Sequence, residues 1–481
     1  MNYAMIFYLL GYICNVEALL MLLPLAVGLL YGESVGGTFG LTIVLLLAVG
    51  AVLTRKRPQK QTFYAKEGFV TVSLCWIVLS LFGALPLFLS GEVGPFVDCF
   101  FEIVSGFTTT GASIIPNVET LSQGILFWRS FTHWVGGMGV LVFVLMVLPM
   151  AGQSSIHLMR AESPGPRVGK FVPKLRSTAV LLYGIYMLLT VILVVLLALG
   201  GMSLFDSLIF SFGTAGTGGF ANYAASVGHF GSAYFDWVIT IFMILFGVNF
   251  NVYYLILFGH VVQGLKSEEM RYYFAIIAAS IAMITLNIAH LYDNTLTALR
   301  YASFQVASII TTTGFATADF ALWPVFSRVV LLLLMIAGAC AGSTGGGIKT
   351  SRLIIAIKSS WQELRHLLHP RTVTRVRLDG RPVEEETLSA VGSYLTFYAL
   401  ITGISVLLLS VEGYNFDTTI SAVLACFNNI GPGIGLVGPM GNYGFFTPFS
   451  KLLLSFDMLL GRLEIFPMLV LFSPSVWRRS R

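Results

Sequence analysis

Asp98-Cys99-Phe100-Phe101-Glu102-Ile103-Val104-Ser105-Gly106-Phe107-Thr108-Thr109-Thr110-Gly111-Ala112 opens on a carboxylate, runs through an apolar middle and ends on threonines closed by a glycine. The layout returns three times. It recurs from Asp206-Ser207 to Gly216-Thr217-Gly218-Gly219-Phe220, in a copy ending Thr311-Thr312-Thr313-Gly314-Phe315, and from Asp417 to Asn428-Asn429-Ile430-Gly431-Pro432. Self-similarity at a steady period constrains a fold more tightly than local propensity does.

The four copies sit in a chain of 481 residues that is 56% hydrophobic and 11% charged, with a mean hydropathy of +0.84. Such a composition belongs in a bilayer. Apolar stretches recur from end to end, leaving no room for a sizeable soluble domain. Each copy lies between two long apolar spans, and the roughly twelve residues before its glycine are too few to cross about 30 Å of hydrocarbon as a helix. These segments must dip in and return. Non-helical backbone at membrane depth is tolerated only where protein buries it or water lines it, so four re-entrant loops imply a central pore.

The short helices would aim the negative ends of their dipoles at that axis and favour a cation there. Asp98, Asp206 and Asp417 stand where three of them begin, as expected acceptors for free N–H groups; the third copy has Arg300 and Tyr301 instead. A dehydrated potassium ion needs oxygens in place of its water shell, and a ring of backbone carbonyls supplies them. Turning successive carbonyls inward demands backbone angles open to glycine, which points to Gly111, Gly219, Gly314 and Gly431. The pairs Thr110–Gly111, Gly218–Gly219, Thr313–Gly314 and Ile430–Gly431 are therefore the expected ion-coordinating residues. Thr110 and Thr313 are expected to add hydroxyl oxygens. In the second loop, Gly216-Thr217-Gly218-Gly219 leaves the ring glycine ambiguous by one residue. One glycine per loop implies a short filter with modest discrimination against sodium.

Basic residues cluster between spans: Arg55, Lys56, Arg57, Lys60 and Lys66; Arg160, Arg167, Lys170, Lys174 and Arg176; Lys266 and Arg271; Arg352 through Arg381; and Arg478, Arg479 and Arg481. The positive-inside rule puts all of them, and both termini, in the cytoplasm. The connections 91 to 124, 201 to 232, 316 to 327 and 412 to 447 lack Lys and Arg and face outward. The net charge of +5 is thus topological and implies no nucleic-acid partner. The span 3 to 31 reads as a retained helix, not a signal peptide. The five cysteines lack CxxC spacing and read as free packing residues.

Four loops of this kind on four hairpins resemble the Trk/Ktr/HKT superfamily of potassium transporters, in particular its bacterial TrkH branch, over essentially the whole chain. The resemblance implies an all-α polytopic membrane protein with two extra leading transmembrane helices, then four pseudo-repeats of helix, re-entrant pore loop and helix around a central pore. The expected units are 1–60, 61–160, 161–265, 266–370 and 371–481. It also implies potassium uptake across the bacterial cytoplasmic membrane, a homodimer in lipid, and a cytoplasmic nucleotide-binding regulatory ring of the TrkA or KtrA kind docked on the 352 to 386 segment. No nucleotide site or organic cofactor is expected in this chain itself.

After the third loop, the glycine-rich run Gly338 to Gly347 interrupts the span 325 to 357, because such residues propagate a helix badly. By resemblance, Gly342, Ser343, Thr344, Gly345, Gly346 and Gly347 form an intramembrane gate beneath the filter; a packing kink is the alternative. Arg462 lies in the last span, where a charge is expensive unless it faces the pore or meets Glu464, Asp457 or a backbone carbonyl. By resemblance it faces the cavity and repels ions, and the two roles are compatible. Glu102 and Gln305 occupy equivalent places in their short pore helices and are expected to hydrogen-bond the loop behind the filter, with capping of neighbouring helices as the alternative.

Other motifs fall away. Gly433 to Gly438 matches G-x-G-x-x-G without a preceding strand, and Gly342 to Lys349 lacks the Gly-Lys pair of a phosphate loop. His366 and His369 stand in a basic segment without further ligands. A proton- or sodium-coupled symporter remains the alternative within transport. A polytopic membrane enzyme would show convergent His, Asp or Glu residues at one depth, which the sequence does not, and no catalytic residue is assigned.

Overall fold

Apolar runs of this length pair their backbone groups internally because lipid offers no partners, and the described residues of the computed structural model are mostly helical. It describes residues 1–58, 64–137, 139, 175–371 and 375–477. Lys60, Arg160, Arg167, Lys170, Lys174, Arg478, Arg479 and Arg481 lie outside the described residues. Among the described residues, six helices are long and apolar enough to cross a membrane: Tyr3–Leu30, Gly36–Thr54, Lys66–Ser90, Val180–Leu199, Glu268–Leu291 and Glu385–Ser410. The first two pair closely with each other. They form the leading hairpin.

The other four spans each precede a short helix: Phe96–Phe107, Leu204–Gly216, Thr295–Ile310 and Phe416–Phe427. A further helix follows each: Gln123–Gly137, Ala233–Phe246, Val325–Ala337 and Pro448–Arg462. Among the described residues, three of these are interrupted. The second bends by 89° into Phe250–Leu257, the third stops at Gly338 and resumes as Thr350–Leu368, and the fourth gives way to Phe466–Phe472 through positive-φ residues Glu464 and Ile465. Glycine content foretold the second of these three breaks and not the others.

The short helices do not start on their aspartates. Pro95, Ser203, Asn294 and Asn415 hold the N-cap positions. Ser203 Oγ accepts from the Asp206 N–H at 3.0 Å and Asn294 Oδ1 from Thr297 at 2.7 Å. The carboxylates lie one turn in, where neighbouring elements claim them. Asp98 accepts from Lys451 at 2.7 Å, and Asp417 lies 3.7 Å from Arg328. Asp206 accepts from Asn222 and, at 3.3 Å, from Tyr223. Arg300, in place of an aspartate, lies 3.3 Å from Asp236.

Polarity is inverted relative to a soluble protein. Leu30, Val52, Leu199, Leu286 and Val411 stand on the outside, whereas Glu102, Arg129, His133, Gln305, Asn428, Asn429 and Asp457 are buried. That is the distribution a bilayer selects, with apolar side chains toward lipid and polar ones turned toward a shared interior. The chain is a polytopic membrane protein. The basic 352–386 segment contains a helix and a small hairpin, Arg377–Leu378 against Arg381–Pro382, rather than a plain loop. Asp379 and Gly380 turn it with positive φ at both positions, as a two-residue I′ turn requires.

Candidate functional site: a four-loop ring and the segment beneath it

Each short helix ends the same way. Thr109, Thr217, Thr312 and Asn429 take left-handed φ values of 55°, 55°, 59° and 56°. The N–H one residue on then reaches back five residues: Thr110 to Ser105, Gly218 to Gly213, Thr313 to Ser308 and Ile430 to Ala425, at 2.8–2.9 Å. These are Schellman closures. Gly111, Gly219, Gly314 and Gly431 follow with φ of 80°, 80°, 82° and 90°. The repetition removes the ambiguity of the second loop: Gly219 is the equivalent of Gly111, and Gly218 of Thr110.

The four loops close on one another. A Cβ on Gly111 would stand 1.9 Å from the carbonyl oxygen of Gly218, on Gly219 2.1 Å from that of Thr313, on Gly314 2.1 Å from that of Ile430, and on Gly431 2.6 Å from that of Thr110. Each loop thus lays the carbonyl just before its own glycine against the preceding loop's glycine, with the first loop's carbonyl against the fourth loop's glycine, so the ring closes in the order first, second, third, fourth. The oxygens of Thr110, Gly218, Thr313 and Ile430 form one layer. All four glycines also line a single cavity of about 120 Å³, together with Ala112, Phe220 and Pro432. The threonine hydroxyls are engaged behind the layer. Thr110 Oγ1 lies 2.8 Å from Thr108 Oγ1 and accepts from Asn429 Nδ2 at 3.0 Å, and Thr313 Oγ1 lies 2.8 Å from Thr311 Oγ1.

Side chains brace the loops from outside. Glu102 accepts from the Ile114 N–H at 2.9 Å and from Ser113 Oγ at 3.0 Å, and Arg129 Nε and Nη2 donate to the same carboxylate at 2.8 and 2.6 Å. Gln305 donates to the Ala318 carbonyl at 3.3 Å, and Ser308 Oγ to Phe315 at 2.6 Å. Ser421 Oγ bridges both backbone groups of Ile434, and Tyr443 donates to the Gly431 carbonyl at 2.6 Å. The bracing role of Glu102 and Gln305 is as expected. Arg129 was not foreseen, although a guanidinium inside an apolar span announces a buried partner.

Directly against the loop ends lies the Gly338–Gly347 segment. The Gly346 N–H donates to Thr312 Oγ1 at 2.7 Å. A Cβ on Gly345 would stand 3.0 Å from the Thr311 carbonyl, and on Gly346 2.4 Å from that of Asn428. Glu269 holds both ends of the break, accepting from Ala341 at 2.7 Å and Ser351 at 3.1 Å, and the Gly342 carbonyl accepts from Phe250 at 3.0 Å. Lys349, also unforeseen, has a φ of 76° and donates its buried amine to the Gly345 carbonyl. Arg462 donates to the Thr344 carbonyl at 2.9 Å and to Gly136 at 2.6 Å. Glu464 pairs with Arg352, and Asp457 accepts from Ser405 at 2.8 Å. Of the partners weighed for Arg462, backbone carbonyls are observed. The predicted filter and segment residues are therefore brought together at one place, and among the described residues no cluster of His, Cys, Asp or Glu is arranged to hold a metal ion.

The family model for TrkH, a cation transport protein, matches residues 38–479. The Trk system potassium uptake protein TrkH of Salmonella typhimurium is 38% identical over 464 residues, covering 95% of this chain and 96% of its own. TrkG of Escherichia coli K12 is 34% identical over 475 residues, 97% of each. The crystal structure of the potassium transporter TrkH from Vibrio parahaemolyticus matches with a TM-score of 0.89 at 34% identity, covering 99% of this chain and 100% of that one. Ring, interrupted helix and end-to-end similarity agree, and the chain belongs to the TrkH family of cation transport proteins.

Proposed function

We propose that this chain carries potassium into the cell across the bacterial cytoplasmic membrane, through a pore whose selective element is the four-loop ring. The observation that carries this reading is the closed layer of four backbone oxygens, each against its neighbour's glycine. Backbone oxygens replace the hydration shell of an alkali cation without presenting full charges that would trap it. The ion-coordinating residues are Thr110–Gly111, Gly218–Gly219, Thr313–Gly314 and Ile430–Gly431. Residues 61–160, 161–265, 266–370 and 371–481 act as four quadrants around the path, behind the leading hairpin 1–60.

The segment Gly342 to Gly347 acts as the gate. Its contacts with Thr311, Thr312 and Asn428 support a barrier immediately under the ring, and Arg462 holds that barrier closed through Thr344 while opposing cation passage by charge. Two copies assemble with both termini in the cytoplasm, and the basic 352–386 segment docks a nucleotide-binding regulatory ring of the TrkA kind. The relatives' names as Trk system potassium uptake proteins and the potassium transporter structure support the choice of ion. Purified protein in liposomes should pass potassium or rubidium in preference to sodium, and expression should restore growth of a potassium-uptake-deficient bacterium at low potassium. Equal sodium and potassium flux, or no rescue with the regulatory partner present, would refute the proposal.

A further inference from the structure

The second loop differs from its neighbours at two positions. Where the first and third carry Thr108 with Thr110 and Thr311 with Thr313, their hydroxyls paired at 2.8 Å, the second carries Gly216 and Gly218. A Cβ on Gly216 would stand 2.2 Å from the carbonyl oxygen of His133, and a Cβ on Gly218 2.3 Å from its ring atoms Cγ and Nδ1. One histidine, from helix Gln123–Gly137, fills the space that two threonine side chains occupy elsewhere. The residue is 0% exposed, and its ring lies 4.2 Å from that of Phe220. His133 Nδ1 is 2.8 Å from the Gly106 carbonyl. A carbonyl only accepts, so Nδ1 carries the hydrogen and the ring orientation is fixed. Gly106 belongs to the first short helix, so a single imidazole ties the first quadrant to the second loop.

We infer that His133 is a positioning residue for ion discrimination, its backbone carbonyl standing in the place of one missing threonine side chain and its imidazole in the place of the other, holding Gly218 and Gly219 at the radius of the other three loops. The inference rests on the reading of the ring as the selective element. Gly216-Thr217-Gly218-Gly219 is the stretch of the ring with the fewest side chains and the greatest backbone freedom. Without a wall behind it, its oxygens would spread, and a slack layer coordinates sodium and potassium more equally. The ring packed on the Gly218 α-carbon removes that freedom from outside.

The test compares potassium and sodium permeability of full-length protein in liposomes for wild type, His133→Ala, His133→Asn, the double variant His133→Ala with Gly218→Thr, and Gly314→Ser. The Asn side chain keeps an N–H for Gly106 but has no ring against Gly218. Both single changes at His133 should lower potassium-over-sodium discrimination about tenfold, equivalent to ~1.4 kcal/mol of differential ion stabilisation. The double variant should recover most of it, since threonine then fills the vacated space. A wild-type ratio in His133→Asn, or a double variant no better than His133→Ala, overturns the inference, including the case where only protein yield falls. Gly314→Ser separates the two levels. If it keeps full discrimination, the ring is not selective and both readings fall; if it loses discrimination while His133→Asn does not, only the role of His133 falls.

Discussion

A methyl group is the smallest side chain, and at four positions even that has nowhere to go. A Cβ on Gly314 would enter the oxygen of Ile430 at 2.1 Å, at a φ of 82°, where an L-residue is strained before any contact is counted. Gly314→Ser should therefore reduce potassium-over-sodium discrimination by about tenfold or more, read as relative flux; an unaltered preference would remove the third loop from the selective layer. Glu102 and Arg129 make a different kind of point. Both are fully buried, so removing one leaves the other charge stranded, at about 3–5 kcal/mol. Arg129→Met should lower the unfolding temperature sharply, and adding Glu102→Leu should return part of it, as thermal unfolding in detergent will measure. The ring glycines were legible in the sequence because only a repeated conformational demand puts glycine at the same place four times. Arg129, His133 and Lys349 were not, because their partners, Glu102, Gly218 and a carbonyl of the broken segment, become neighbours only in the fold.

At the level of elements, the helices after the second, third and fourth loops are all interrupted: at Gly247–Asn249, at Gly338–Lys349 and at Leu463–Ile465. Only the middle one was written plainly, in a run of ten residues with five glycines. The others turn within three residues each, the last through Ile465 with a φ of 68°, and no composition shift announces them. The middle break is held by side-chain bonds from Glu269, Thr312, Lys349 and Arg462. Deleting Gly345 to Gly347 removes the bond to Thr312 and should raise potassium flux; unchanged conductance would mean the segment is no barrier. Arg462→Gln keeps part of the donor set toward Thr344 and Gly136 but removes the charge, and should also raise flux. If it alters only expression, the guanidinium is a strut and not a gatekeeper.

Over the whole molecule, the sequence made the architecture readable because hydropathy and repetition are one-dimensional signals. What it left open was how the quadrants meet, which depends on close backbone approaches such as Gly216 to His133 and Gly346 to Asn428, where a Cβ would stand 2.2 and 2.4 Å from a carbonyl oxygen. The exposed arginines at 365, 375, 377 and 381 set the character of one face. Reversing their charge should weaken docking of the regulatory ring, and the wild-type interaction should fall steeply with salt because exposed charges are screened within about 10 Å at 0.1 M. Potassium uptake by the isolated protein should be unaffected. Affinity measured across ionic strengths checks this, and a salt-independent interaction would place the contact elsewhere.

Because all four loops belong to one polypeptide, each can be altered alone. In a channel built from four identical subunits, any substitution is copied around the axis; here a change at Gly431 leaves three native arcs in place. Selectivity can accordingly drift in quarter-steps, and the dissimilar arcs, with threonine in the first and third, glycine in the second and isoleucine in the fourth, are what such independent tinkering would leave behind.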